Sequence, residues 1–221
     1  MNEIIVTLDN MDQTTAIGIA KTLKNNVWGF RIHDLIMRYG VNIIDCLKNF
    51  GNVFVDLKLH DAPGPVHNMA ELLASHGADM ISVHVAGGVK MIKHAREGAF
   101  KGGVKNGDKA RIIGVSMLDN LDFNEIRETY RGYPIERFFN IVNKSHVDGI
   151  ICSDHEIPFW NSIEKTEEIN LIKIIPNIHP FGPLPIVDAN FVCVGESITK
   201  SKDPMKFIES IKNLYVEDEA S

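Results

Sequence analysis

Val53-Phe-Val-Asp-Leu-Lys-Leu-His-Asp-Ala-Pro63 is the stretch on which the reading of this chain turns. Val53, Val55, Leu57 and Leu59 alternate with Phe54, Asp56, Lys58 and His60. Alternation with period two is the mark of a β-strand, here with one wholly apolar face. Asp56 and Lys58 stand two residues apart, so both project from the other face. An acid and a base in an apolar strand have to be paired, because an unpaired buried charge is very costly. Asp61 follows where Ala62-Pro63-Gly64 ends the strand. Two carboxylates and an ammonium are thus expected to converge at one strand's C-terminal end. A charged strand tip in solvent is the simpler alternative, but Asp56 lies too deep in the apolar run for it. Coupled titratable groups in such a position mark a functional site.

Similar apolar runs recur on either side, at residues 4–8, 28–32, 80–85, 112–117, 149–152, 172–175 and 191–194. Helical stripes separate nearly all of them, such as Ala16, Ile19, Ala20 and Leu23. Strand–helix alternation predicts a parallel sheet. Eight such units in 221 residues predict one closed (β/α)8 barrel over residues 1–216, with a polar tail at 217–221. A doubly wound open sheet is the alternative, and the polar residues choose between the two. Asp9, Arg31, Asp56 with Lys58, His84, Asp119, Ser153, Asn177 and Glu196 gather at the ends of many different strands. A barrel brings all its strand ends to one rim, where its sites are built, whereas an open sheet leaves several far apart. Residues 179–190 hold three prolines and a glycine. The seventh crossover helix is therefore expected to shrink to a turn or so.

Hydrophobic residues make up 44% of the chain and charged ones 24%, the balance of an ordinary globular domain. A net charge of -6 gives no reason to expect a nucleic-acid partner. No apolar run approaches the ~20 residues that span a bilayer. The N-terminus lacks the basic-then-apolar order of a secretory signal, so a cytoplasmic location is expected. Cys46, Cys152 and Cys193 have no motif spacing. Cys152 and Cys193 sit in apolar strands and are expected to be reduced core thiols.

Asp56-Leu-Lys58-Leu-His-Asp61-Ala-Pro63 resembles the Asp-x-Lys-x-x-Asp motif of the orotidine 5′-phosphate decarboxylases. The likeness begins at Leu8-Asp9 and takes in Ile81-Ser-Val-His84 with Gly87-Gly88. It continues through Ile113-Gly-Val-Ser116-Met-Leu118, Asp148-Gly-Ile-Ile-Cys-Ser153 and Val194-Gly195, and it closes with Ile198-Thr199 and Asp203-Pro204. The resemblance implies a (β/α)8 barrel that removes the carboxylate from pyrimidine carbon 6 of a nucleotide without a cofactor, giving uridine monophosphate. It implies that Asp56 faces the substrate carboxylate and Lys58 protonates the carbanion. It also implies a homodimer in which Asp61 enters the partner's site, and Asp9 on a ribose hydroxyl. His84, Ser116, Asp119, Asn177, Gly195 and Glu196 take the positions facing the rest of the substrate. The residue types suit the chemistry. A carboxylate facing a carboxylate raises the reactant's energy, and a fixed ammonium stabilises the carbanion as its charge develops. Two flanking acids would also keep Lys58 protonated.

The departures cluster on the substrate positions. Arg31 stands where the family's second strand offers a lysine, keeping the charge with another shape. Asp119 replaces a Ser or Thr, and the usual Pro-Gly after the seventh strand reads Pro176-Asn177. The usual Gly-Arg that grips phosphate reads Gly195-Glu196. At ~4 Å and a near-surface dielectric, a carboxylate repels a like charge by several kcal/mol. Three alternatives stay open: a decarboxylase with a rebuilt phosphate site, the same acid–base core on another substrate, phosphorylated or not, or a non-catalytic barrel. The metal-dependent lyases of the superfamily carry a glutamate at the second strand's end, and Arg31 cannot ligate a metal. No metal is expected. His60 is expected to face solvent at its strand end, and Trp28 and Trp160 to serve packing.

Overall fold

The computed structural model describes residues 3–104, 107, 109–117, 122–131, 134–176 and 189–216. Strands and helices follow in the order β1 (Glu3–Thr7), α1 (Gln13–Leu23), β2 (Gly29–Ile32), α2 (Asp34–Tyr39), α3 (Asn42–Lys48), β3 (Asn52–Leu59), α4 (Pro63–Ser75), β4 (Met80–His84) and α5 (Gly88–Val104). They continue with β5 (Arg111–Val115), α6 (Phe123–Tyr130), α7 (Ile135–Ser145), β6 (Gly149–Ile151), α8 (Ile157–Glu167), β7 (Ile172–Ile175), β8 (Phe191–Val194), α9 (Glu196–Thr199) and α10 (Pro204–Val216). All neighbouring strands pair in parallel, and β8 closes on β1 through Ile5↔Cys193 and Val6↔Val194. The closed barrel is the architecture expected above, and the open sheet is excluded. The stretch in which a reduced seventh helix is expected lies almost wholly outside the described residues, as does the tail.

Period-two patterning sorts each strand's side chains into two cores. Val53, Val55 and Leu59 of β3 face the helices, in a layer shared with Ile81, Val83, Ile112 and Ile150. Phe54 faces inward and packs with Ile5, Met80, Ile113, Ile151, Ile174, Phe191 and Cys193. These residues fill the barrel interior with packed side chains. Cys152 and Cys193 are buried as expected, and burial pushes the Cys193 thiol up to about 12.

The end of the barrel where the strands begin is locked by a repeated device. Asp79, just before β4, donates its N–H to the Val53 carbonyl (2.8 Å), and its carboxylate accepts the Val53 N–H (2.7 Å). Asp148 clasps Ile112 in the same way before β6 (2.9 and 2.8 Å), and Asn190 clasps Lys173 before β8 (3.0 and 2.8 Å). Each clasp pairs a strand with the next and satisfies an amide at the ladder's end. Lys173 faces the helices, where its ammonium meets Glu164 (2.6 Å) and Asn161 (2.7 Å).

Candidate active site

At the opposite end, where the strands finish, apolar filling gives way to polar residues on adjacent strands. Thr7, Arg31, Asp56 and Ser82 come from β1, β2, β3 and β4, and all four are buried. Asp56 is 0% exposed, and one of its oxygens, Oδ2, carries the whole cluster. It accepts Arg31 Nε at 2.7 Å and Lys58 Nζ at 2.8 Å, and Arg31 Nη2 also pairs with it. Burial alone would raise the Asp56 carboxyl. The guanidinium and the ammonium outweigh that and hold its pKa below the ordinary carboxylate value, so the group is ionised. Asp56 Oδ1, Arg31 Nη1 and Thr7 Oγ1 are buried without a hydrogen bond among the described residues. The cluster thus keeps polar capacity that a ligand can use.

Lys58 reaches Asp56 by an unexpected route. Between Val55↔Ile81 and Leu59↔Val83 the ladder to β4 slips, so β3 spends four steps where β4 spends two. Lys58 takes φ 49°, the left-handed region that a side chain makes costly. Its N–H donates to the Ser82 hydroxyl (2.7 Å), which holds the bulge in place. Simple alternation put Asp56 and Lys58 on one face; the bulge instead carries Lys58 to the rim, with its side chain 30% exposed. Ser82 was not singled out from the sequence. Its signal was a hydroxyl in an apolar strand, in phase with His84.

The expected cage of two acids around Lys58 does not form within one chain. Asp61 is exposed, forms no ion pair among the described residues, and accepts the N–H of Ala62 (2.6 Å) just before α4. Pro63 starts that helix, so the chain turns away before Asp61 can fold back on Lys58. Asp9 ends the β1 side of the rim. Its side chain reaches solvent, yet the protein packed around it withdraws enough water to raise its pKa against the pull of Arg31. His84 is partly buried, and its Nδ1 accepts the Ala86 N–H (3.3 Å), so the proton belongs on Nε2. Burial, then His60 and Lys58, lower its pKa and favour the neutral ring. His60 is exposed at its strand end, as expected, and its ring also stacks on His84, centroids 5.2 Å apart.

Two further positions are described by their partners. Ser116 is 0% exposed, and its hydroxyl meets the Glu156 carboxylate (3.2 Å) and the Ile151 carbonyl (3.3 Å). Glu156 was missed. It is buried, takes the N–H of Ser153 (2.9 Å), and burial raises its pKa. Ser153-x-x-Glu156 is a capping-box spacing, the signal that would have found it. Glu196 is the other: its side chain is 76% exposed and pairs with Lys200 at 2.7 Å. Gly195 precedes it as the N-cap of α9. Asp119 and Asn177 lie outside the described residues. Among the described residues no three carboxylate, imidazole or thiolate groups converge as metal ligands.

The chain is similar in sequence and fold to known proteins. The model of the orotidine 5′-phosphate decarboxylase / HUMPS family fits residues 2–211. The chain belongs to that family. An orotidine 5′-phosphate decarboxylase of Streptococcus thermophilus is 32% identical over 199 residues, covering 81% of each chain. The crystal structure of orotidine 5′-phosphate decarboxylase from Lactobacillus acidophilus superposes with a TM-score of 0.81 at 25% identity, over 97% of this chain and 99% of that one. The same barrel recurs in KGPDC from Streptococcus mutans, TM-score 0.72 at 17% identity, covering 98% of both chains. The family is one of carbon–carbon lyases, and the ionised cluster around Asp56 sits where its barrels are built to act, at the strand ends.

Proposed function

We propose that this family member removes the carboxylate from carbon 6 of an orotate riboside, yielding uridine monophosphate where the substrate is orotidine 5′-phosphate. One observation carries the reading: an ionised, fully buried carboxylate shares a single oxygen between Arg31 and Lys58 at the barrel mouth. A substrate carboxylate brought against Asp56 is a like charge in a low-dielectric site, which raises the reactant's energy. Breaking the bond to carbon 6 releases carbon dioxide and leaves the electron pair on the ring. Lys58 stabilises that pair and donates a proton to carbon 6; solvent then restores the ammonium. The Nε2–H of neutral His84 is a donor for a ring carbonyl at the rim. Asp9 accepts from a ribose hydroxyl.

Arg31 favours this over a metal-dependent lyase, because a guanidinium beside Asp56 takes up the carboxylate that a metal would need. The proposal includes a homodimer in which Asp61 enters the partner's site. Its exposure and its lack of an ion pair among the described residues support that role. The test is loss of orotate-ring absorbance with orotidine and orotidine 5′-phosphate. Turnover is expected from the native chain, and Lys58→Ala should lower kcat by at least ~10³-fold, since it removes both the proton donor and the charge on the carbanion. A native chain that turns over neither compound refutes the reading.

A further inference from the structure

We infer that Thr7 is a further substrate-binding residue, its hydroxyl and Arg31 Nη1 together taking a ribose hydroxyl at the floor of the mouth. This rests on the decarboxylase reading above and adds a contact to it. Thr7 ends β1 and is 6% exposed. Ile5, two residues earlier, packs in the barrel interior, so Thr7 projects inward in the same phase. The ladder sets Thr7 level with Arg31 on the next strand, and side chains so paired stand side by side. On the other flank is Gly195, directly after β8. A Cβ built on Gly195 would meet, among the described residues, only the Thr7 Cβ, at 3.7 Å. The missing side chain leaves the space beside Thr7 open toward the mouth.

A purely apolar floor would be more stable. Thr7 Oγ1 is buried with no hydrogen bond among the described residues, a cost that valine, of the same shape, would avoid. Beside it Arg31 Nη1 is also unbonded, although the rest of the guanidinium lies on Asp56. Above them, on the chain leaving β1, Asp9 is close enough for the Arg31 charge to act on its titration. The three groups are an N–H donor, a hydroxyl that donates and accepts, and a carboxylate acceptor. A sugar hydroxyl fits this set, because it accepts from Arg31 while donating its own proton. A carbonyl oxygen offers Asp9 nothing, and an anion is repelled by it. Two neighbouring hydroxyls use the whole set: one on Asp9, as proposed above, and the next below it on Thr7 and Arg31.

The test compares Thr7→Val and Thr7→Ser with the native chain. It reads kcat/KM on orotidine and orotidine 5′-phosphate, and Kd for uridine monophosphate and its 2′-deoxy and 3′-deoxy forms. Thr7→Val should lower kcat/KM and weaken uridine monophosphate by about tenfold each, the effect of one buried hydrogen bond. Thr7→Ser keeps the hydroxyl and should stay within ~3-fold of native. For the deoxy form that lacks the contacted hydroxyl, native and Thr7→Val should bind alike. Without ligand, Thr7→Val should melt at or above the native temperature, since it removes a buried hydroxyl that has no partner among the described residues. Native kcat/KM and Kd in Thr7→Val overturn the inference, as does a Thr7→Val penalty that persists on both deoxy forms. Thr7→Ser as impaired as Thr7→Val, with both melting below native, makes Thr7 structural and overturns it too. Each of these outcomes leaves the decarboxylase reading standing. Turnover of neither orotidine compound refutes that reading, and the inference falls with it.

Discussion

Asp56 is the residue whose charge the rest of the site is arranged to hold. Its carboxyl pKa is depressed on folding, against an unfolded value of about 3.9. For a depressed acid the folded state binds fewer protons than the unfolded one. The stability it contributes is complete above the unfolded pKa and is lost as pH falls through the folded one. Native stability in urea should therefore decline on the acid side of pH ~4 more steeply than that of Asp56→Asn. At pH 7 the same substitution should cost about 3–5 kcal/mol, because it leaves Arg31 buried without its anion. Equal acid slopes for the two proteins would show that Asp56 is not the group responsible. Lys58 adds a second residue-scale feature. Its left-handed backbone is a conformation kept only where the surroundings impose it, and here the Ser82 hydroxyl does so.

Among the elements, α4 and α5 pack extensively on each other, and glycine makes the approach possible. A Cβ on Gly98 would lie 2.1 Å from the His67 carbonyl oxygen, and one on Gly102 would lie 2.2 Å from that of Glu71. Both obstacles are backbone, which cannot swing aside. Gly98→Ala should therefore destabilise the fold by about 1–3 kcal/mol, although alanine is the better helix former by about 1 kcal/mol. A lower urea midpoint at unchanged m would register it, and a higher midpoint would disprove the contact. Because α4 directly follows Asp61 and α5 follows His84 and its turn, this crossing also sets two corners of the mouth. Such spacing is visible in the chain as Gly98-x-x-x-Gly102, but spacing does not reveal which helix lies opposite.

For the whole molecule the proposed dimer gives the sharpest test. If each site takes Lys58 from one chain and Asp61 from the other, Lys58→Ala and Asp61→Ala are each inactive alone. Mixing them with subunit exchange should restore roughly a quarter of native activity, since half the dimers are hybrid and each hybrid has one intact site. No recovery in mixtures shown to exchange would remove Asp61 from the partner's site.

The barrel itself was legible in the amino-acid order. Strand period, helix stripes and polar strand ends are local patterns, and closure follows once eight such units must bury both faces of their strands. The pairing of Asp56 with Lys58 was legible too, since neither charge can be buried alone. What only the folded chain decided was direction. The β3 bulge, the tie of Ser116 to Glu156, the histidine stack, the outward turn of Glu196 onto Lys200 and the failure of Asp61 to close on Lys58 all depend on neighbours distant in sequence or on a break in regular geometry. Residue type states which charges need partners; three-dimensional packing alone states which partners are within reach.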